Sequence, residues 1–214
     1  MDDIKISKKL SFILRHGAEK LGIEMKSDGY VLVSDILKHK SHSLWSEEDI
    51  QRVVKNNEKQ RFALRYNDNG DLEIRANQGH SVDVPELQLE EIIDPSLYPT
   101  LIHGTNFRAW DLIKTEGLKT MNRTHIHLTT GLPGDGEVIS GMRKSCTVFI
   151  YIDMSKAIKD NIKFFKAANG VILTKGLNES GVLSLRYFSQ VLNAKTKQPL
   201  IWFFNAAFID ACDN

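Results

Sequence analysis

The stretch from Ser81 to Pro99 divides this chain. It contains VDVPELQLEEIIDPSLYP, is acidic, and holds three of the five prolines, Pro85, Pro95 and Pro99. Proline removes a backbone donor and turns the preceding residue away from helix, so such a stretch reads as a connection rather than a core element. A length of 214 residues allows one large domain or two small ones. The division selects two: a lobe over residues 1–82, a connection over 83–99 with some helix in its middle, and a second lobe over 100–214.

The first lobe reads as short helices followed by a β-ribbon. Ser7 is placed to cap a helix carrying Leu10, Ile13 and Leu14 at i, i+3, i+4 spacing, with Arg15, His16 and Gly17 at its end. Asp28-Gly29 signals a turn before the β-rich run Tyr30 to Val33, and Ser34 is placed to cap a helix with Ile36 and Leu37. Ser46 with Asp49 forms a capping box ahead of Ile50, Val53 and Val54. Phe62, Leu64 and Tyr66 alternate as a half-buried strand, Asn69-Gly70 turns the chain, and Leu72 and Ile74 return. Three short helices and a hairpin are the layout of a winged helix, which by itself does not establish nucleic-acid binding.

The second lobe is strand-rich. Leu101-Ile102-His103 runs as a strand into Gly104, and Trp110, Ile113 and Leu118 follow at helical spacing, with Gly117 as a C-cap. His125 to Leu128, Thr147 to Ile152, Val171 to Leu173 and a segment near Val182 read as further strands. Their irregular spacing does not suggest a doubly wound sheet. The apolar run after Gln190 corresponds to no motif and is expected to add a strand or cover an edge.

A formal net charge of +1 argues against a generic polyanion binder, which carries a large basic excess. Any contact with nucleic acid must use a local basic patch. Two cysteines, Cys146 and Cys212, cannot staple a disulfide scaffold. The N-terminus MDDIKISKKL lacks a signal-peptide apolar core, and no apolar stretch is long enough to span a bilayer. A soluble intracellular protein, cytoplasmic or nuclear, is expected, acting as a monomer without a membrane partner.

Several runs carry groups suited to chemistry. Arg15-His16 closes an apolar stripe with two cations; the guanidinium fork matches phosphate, while the plainer reading is a solvated helix end. Arg61 precedes a strand, where a solvent-facing role is the simpler reading of that residue alone. The run Arg75-Ala76-Asn77-Gln78-Gly79-His80-Ser81 either orders a loop against a ligand or turns the chain. His103-Gly104-Thr105 ends a strand on a glycine that allows close backbone approach. In Arg123-Thr124-His125-Ile126-His127 the two histidines share a face if both lie on a strand, and so does Arg123 if the strand starts early enough. His103, His125 and His127 raise zinc, but no cysteine lies nearby in sequence, no HExxH helix exists, and Arg123 would repel a cation. GLPGDG at 131–136 lacks the Gly-Lys-Ser/Thr of a P-loop, and no Rossmann glycine fingerprint occurs. Cys146, just before an apolar strand, reads as a buried small hydrophobe.

Taken in order, the runs SKKLSFILRHGA, SDGYVLVSDIL, KQRFAL, IRANQGHS, LIHGT, MNRTHIHL, SGMR and NGVILTKG resemble the RNA 2′-phosphotransferase family, the last enzyme of fungal-type tRNA splicing. The resemblance covers nearly the whole chain. It implies an α+β fold, with an N-terminal winged-helix lobe that binds RNA and a C-terminal, β-rich lobe of ADP-ribosyltransferase type that binds NAD. It implies a catalytic Arg-His-Arg-Arg set, matched here by Arg15, His16, Arg61 and Arg123. It also places His103, Gly104 and Thr105 against the nicotinamide half of NAD, with His127 facing the same cleft and Arg143 helping to hold the dinucleotide.

The implied reaction transfers the internal 2′-phosphate of RNA, such as a tRNA splice junction, to NAD as co-substrate, with no metal expected. The 2′-phosphate displaces nicotinamide, and the ribose 2″-hydroxyl then attacks phosphorus. The products are 2′-OH RNA, nicotinamide and ADP-ribose 1″,2″-cyclic phosphate, reached through an ADP-ribosylated RNA phosphate. Two rival readings use the same residues: an ADP-ribosyltransferase acting on nucleic-acid terminal phosphates, and a non-catalytic RNA-binding module.

Overall fold

The computed structural model describes residues 2–40, 44–132, 142–143 and 145–202, the side chains of 201 and 202 excepted. The chain divides into two compact units, Met1–Leu89 with Ala167–Asn169, and Glu90–Lys166 with Gly170–Asn214. Both mix helix and sheet.

In the first unit, helix α1 (Asp3–Phe12) begins one turn earlier than the sequence suggests. Asp2, not Ser7, caps it, accepting from the Ile4 amide at 2.9 Å. An aspartate at the positive helix end does the work of a hydroxyl with added charge. Ser7 lies inside the helix and accepts a hydrogen bond from Asn57 at 3.2 Å. The helix then widens into a π turn over Ile13–Gly17, which holds Arg15 and His16. These two residues therefore do not occupy an ordinary α-helical end.

A short strand β1 (Val31–Leu32) leads directly into α2 (Val33–Lys38). This helix has Leu32 at its N-cap and no side-chain cap, so Ser34 is an interior residue. Helix α3 (Glu47–Lys55) has the expected capping box: the Asp49 amide donates to Ser46 Oγ, and the Ser46 amide donates to the Asp49 carboxylate. Strands β2 (Phe62–Tyr66) and β3 (Leu72–Ala76) form the hairpin, with Gly70 at φ +81° and the Asn67 side chain accepting from the Asn69 and Asp71 amides. The sheet order is β1-β3-β2, all antiparallel.

The core of this unit gathers Ile6, Leu10, Ile13 and Leu14 against Ile36, Ile50, Val53 and Ile74. Each such burial stabilises by roughly 1.5–3 kcal/mol. Central strand β3 is buried along its whole length, so its two charges need partners. Glu73 meets Lys26 and Arg65, the latter at 2.7 Å, and Arg75 donates to the Gln88 side chain at 3.1 Å.

The second unit is built on antiparallel strands. They are β4 (Leu89–Glu91), β5 (Ile102–Thr105), β6 (Leu118–Lys119), β7 (Ile126–Leu128), β8 (Val148–Ile152), β9 (Phe164–Ala167), β10 (Ile172–Thr174), β11 (Val182–Leu183), β12 (Phe188–Asn193) and β13 (Pro199–Trp202). One sheet runs β13-β12-β8-β5, a second β4-β9-β10-β7, and β11 pairs with β6. Every pairing described in them is antiparallel, in line with the expectation against a doubly wound fold. The tail adds edge strand β13, and its proline opens that strand where no inward donor is needed.

Among the described residues, the one helix-like turn between 83 and 99 is the 3₁₀ turn Pro95–Leu97, capped by Asp94. Helix α4 (Phe107–Glu116) is capped by Asn106 and closes at Gly117, φ +78°. Leu118 does not continue its stripe but starts β6. A β-carbon on Gly117 would lie 2.7 Å from the Leu183 carbonyl oxygen, so glycine ends the helix and admits the neighbouring strand. Helix α5 (Met154–Lys159) is capped by Asp153. Trp110, Ile126, Leu128, Val148, Ile150, Phe164, Ile172 and Tyr187 fill the core. Among the described residues no helix is long and apolar enough to cross a membrane.

Candidate functional site

In the first unit the π turn is the starting point. A π turn spaces side chains wider than an α turn and recurs at functional sites. Here it lays the Phe12 ring over Gly17, where a β-carbon would meet that ring at 2.5 Å, and brings the ring within 6.3 Å of the His16 ring. Residues 79–81 pack against the same turn. Gly79, at φ +90°, leaves room for the Arg15 guanidinium, whose carbon would lie 3.3 Å from a β-carbon there. The Ser81 amide donates to the Arg15 carbonyl at 3.0 Å, and Ser81 Oγ donates to that carbonyl at 3.3 Å. With its one hydrogen so used, Ser81 Oγ accepts from His16 Nδ1 at 2.9 Å. The neutral His16 ring then carries its lone pair on Nε2.

Arg61 stands just before β2. Its amide donates to Asn57 Oδ1 at 3.1 Å, its guanidinium Nη1 to the same oxygen at 3.3 Å, and its carbonyl accepts from the Asn77 amide at 2.8 Å. Burial lowers its pKa. Residues 77–81 thus touch Arg61 at one end and Arg15 and His16 at the other. The polar run, ambiguous in sequence, is a brace for three of the expected catalytic residues. Ser81, Asn77 and Asn57 are contributors that sequence reasoning does not single out; the density of polar groups in 75–81 is the available signal for two of them.

In the second unit a cleft of about 530 Å³ has His103, Gly104, Thr105, His127 and Arg143, the residues expected to hold NAD, in its lining, and Arg123 of the expected catalytic set beside them. His103 sits on β5 and His127 on β7, in different sheets joined by paired bonds between Ile102 and Thr129 at 2.8 and 2.9 Å. His103 Nδ1 donates to the His127 carbonyl at 3.0 Å. Burial pushes the His103 pKa down, the backbone bond opposes it, and the charge of Arg123 adds to it. The ring is therefore a neutral Nδ1–H tautomer with an acceptor at Nε2. Met142 covers Gly104 so closely that a β-carbon would fall 2.2 Å from it.

Strand β7 begins at Ile126, so Arg123 and His125 belong to the turn before it and do not share a strand face with His127. The chain at Arg123 is tied by its own amide to the Thr120 carbonyl, which closes that turn. His125 Nδ1 instead meets Thr124 Oγ1 at 2.9 Å. Cys146 is half-buried and lines the cleft rather than being a fully buried hydrophobe. Residues 133–136 of the GLPGDG loop lie outside the described residues. Among the described residues, no three His, Cys, Asp or Glu side chains converge as a cation site.

Some arginines are held in ion pairs. Arg52 pairs with Asp3 and Asp49, Arg65 with Asp28 and Glu73, and Arg186 with Asp160. Arg61 and Arg123 make no ion pair among the described residues. Burial lowers the pKa of both, and in Arg123 the positive charge of Arg143 lowers it further. Arg61 is half-buried while Arg123 is exposed at the cleft, and a cation left without a carboxylate draws an anionic ligand.

Comparison with known proteins gives the same direction. A family model described as RNA 2′-phosphotransferase, Tpt1 / KptA family, matches residues 1–176. The chain is 50% identical over 196 residues to tRNA 2′-phosphotransferase 1 of Danio rerio, covering 90% of this chain and 87% of that protein. It is 49% identical over 201 residues to tRNA 2′-phosphotransferase 1 of Homo sapiens, covering 92% and 79%. It is 36% identical over 184 residues to tRNA 2′-phosphotransferase of Saccharomyces cerevisiae, covering 82% and 80%.

Proposed function

The chain belongs to the RNA 2′-phosphotransferase, Tpt1 / KptA family, and from that premise we propose that it transfers the internal 2′-phosphate of spliced tRNA to NAD. The observation that carries this reading is that half-buried Arg61 in the first unit and cleft-lining Arg123 in the second each lack a carboxylate partner among the described residues. A dianionic phosphate satisfies such groups, and each charge-assisted bond contributes roughly 1.5–3 kcal/mol.

We assign Arg15, His16 and Arg61 to the RNA phosphate, on a unit read as a winged helix because its three helices lead into a hairpin. We assign the second unit, read as an ADP-ribosyltransferase-like lobe, to NAD. The cleft size suits a dinucleotide-scale ligand, and its lining supplies a neutral acceptor at His103 and positive charge at Arg143 for the diphosphate. Thr105 and His127 are further polar members of the lining.

In the first step an oxygen of the RNA 2′-phosphate attacks C1″ of the nicotinamide ribose. The C1″–N bond breaks, its electron pair returns to the ring, and nicotinamide leaves neutral, so no general acid is required. In the second step the ribose 2″-hydroxyl attacks phosphorus and the bond to the RNA 2′-oxygen breaks. One proton passes from the 2″-hydroxyl to the departing 2′-oxygen. Neutral His16, with its lone pair on Nε2, suits that transfer; protonated, it donates to phosphate. Arg123 holds the negative charge that builds at phosphorus, as a preorganised donor does.

The test is incubation with NAD and a short RNA carrying one internal 2′-phosphate. The expected products are 2′-OH RNA, nicotinamide and ADP-ribose 1″,2″-cyclic phosphate. Lasting ADP-ribosylated RNA, with no dephosphorylation, would replace this reading by simple ADP-ribosylation of phosphate groups. RNA binding without any nicotinamide release would reduce the protein to a binding module.

A further inference from the structure

We propose that Asn57 is the positioning residue for Arg61, and that it serves as an amide rather than an acid so that the charge of Arg61 stays available to phosphate. The inference rests on the reading of Arg61 as a ligand of the RNA 2′-phosphate.

One oxygen does two things. Asn57 Oδ1 accepts from the Arg61 backbone amide at 3.1 Å and from guanidinium Nη1 at 3.3 Å, so main chain and side-chain tip are referred to one point. The orientation of the amide is not arbitrary. Nδ2 donates to Ser7 Oγ at 3.2 Å, and the reverse orientation would set an NH₂ group against two N–H donors. Ser7, inside α1, thereby reaches Arg61 through Asn57.

The backbone around Arg61 is held as firmly. Gln60 sits at φ +42°, a conformation non-glycine residues avoid. Asn77 fixes it from both sides, its Nδ2 donating to the Gln60 carbonyl at 2.7 Å and its amide to the Arg61 carbonyl at 2.8 Å. A strained residue kept in place by its surroundings, directly before a desolvated cation, is the pattern of a pre-aimed group.

The chemistry of the anchor matters as much as its geometry. Arg52, on the helix that ends just before Asn57, is held by Asp3 and Asp49, and its charge is consumed in those pairs. Arg61 is held by a neutral carbonyl oxygen of nearly the same shape as an aspartate oxygen. Aspartate at position 57 would aim Arg61 equally well while cancelling its charge.

That difference makes Asn57→Asp the decisive variant, because it keeps the shape and both hydrogen bonds to Arg61. Binding of one short RNA, with and without an internal 2′-phosphate, is measured by fluorescence anisotropy without NAD, beside thermal melting. Asn57→Asp is expected to melt at or above the wild-type temperature yet bind the 2′-phosphorylated RNA about tenfold more weakly, with the 2′-OH RNA much less affected. Asn57→Ser, too short to reach the guanidinium, is expected to lose affinity severalfold with the same selectivity and to keep the inference testable if the aspartate variant does not fold. In an Arg61→Ala background neither substitution should weaken phosphate binding further, which a general structural role would not predict.

Wild-type affinity in both single variants, or an undiminished effect of either in the Arg61→Ala background, overturns the proposal for Asn57. If Arg61→Ala itself binds the 2′-phosphorylated RNA like wild type, the assignment of Arg61 fails, and the inference with it.

Discussion

His103 donates its Nδ1 hydrogen to the backbone carbonyl of His127 across 3.0 Å, and the two residues stand on different sheets. One bond therefore fixes the tautomer of the first ring and ties together the two sheets that carry the cleft. Burial is the leading cause of the lowered pKa of His103, so its proton is lost below the ordinary histidine value of about 6.5.

A pH dependence of definite sign results. The folded chain binds fewer protons than the unfolded chain wherever only the unfolded ring is charged. Stability tied to His103 is complete above pH about 6.5 and declines as pH falls below it. His103→Asn, which keeps a donor for the His127 carbonyl, should flatten that decline in urea titrations between about pH 5 and 7. The same slope in both proteins would show that His103 does not titrate this way.

Gly104→Ala should damage NAD use more than the fold. The new methyl carbon would lie 2.2 Å from Met142 and 2.9 Å from Cys146 Sγ, so these cleft-lining side chains must move. An increase in the KM for NAD of about tenfold or more, equivalent to roughly 1.4 kcal/mol, is expected with only a small loss of melting temperature. Unchanged NAD kinetics would mean that the dinucleotide does not pass this glycine.

Arg123→Ala is expected to lower kcat/KM by about 10²–10³, the usual effect of removing one preorganised donor from developing charge. If its main duty is the second step, rapid-quench samples should contain ADP-ribosylated RNA. Loss of both steps together assigns Arg123 to ground-state phosphate binding instead. Lysine should rescue poorly, because a point charge lacks the guanidinium fork.

Glu73→Gln tests the buried charge cluster on β3. Desolvation raises the Glu73 pKa, but the hydrogen bonds and charges of Lys26 and Arg65 outweigh it, and the net value is lowered. The stability this provides is present above the ordinary glutamate value of about 4.3 and is lost as pH falls through the folded-state value. Both partners are part-exposed, and Arg65 keeps Asp28, so a loss of about 2 kcal/mol in denaturant titration at pH 7 is expected, below the usual figure for a broken buried pair. A loss under about 0.5 kcal/mol, the range of ordinary surface substitutions, would remove the cluster from the account.

Many elements of the fold are legible in the amino-acid sequence. The Ser46–Asp49 capping box, the Asn69-Gly70 hairpin and the Gly117 helix stop are local signals, each satisfied within a few residues. His103, Gly104, Thr105, His127 and Arg143, read from separate motifs, line one cleft. Misreadings arise where local signals compete. Asp2 outcompetes Ser7 because both can cap and the earlier one starts a longer helix, while the stripe through Leu118 breaks because Gly117 admits a strand. The pairings that support the site are not legible. Asn57 to Ser7 spans 50 residues and His16 to Ser81 spans 65, and no periodicity encodes such pairings.

The π turn over Ile13–Gly17 has a consequence for how the protein can vary. A π turn carries one residue more than an α turn would, at poorer hydrogen-bond geometry. Deleting a single residue there would let the helix run on regularly and gain local stability. It would also remove the bulge that carries Arg15 and His16, taking the pair off Gly79 and Ser81. Helix stability and the placement of Arg15 and His16 are therefore antagonists at this point, and variants selected for heat resistance alone should lose the extra residue and that placement together.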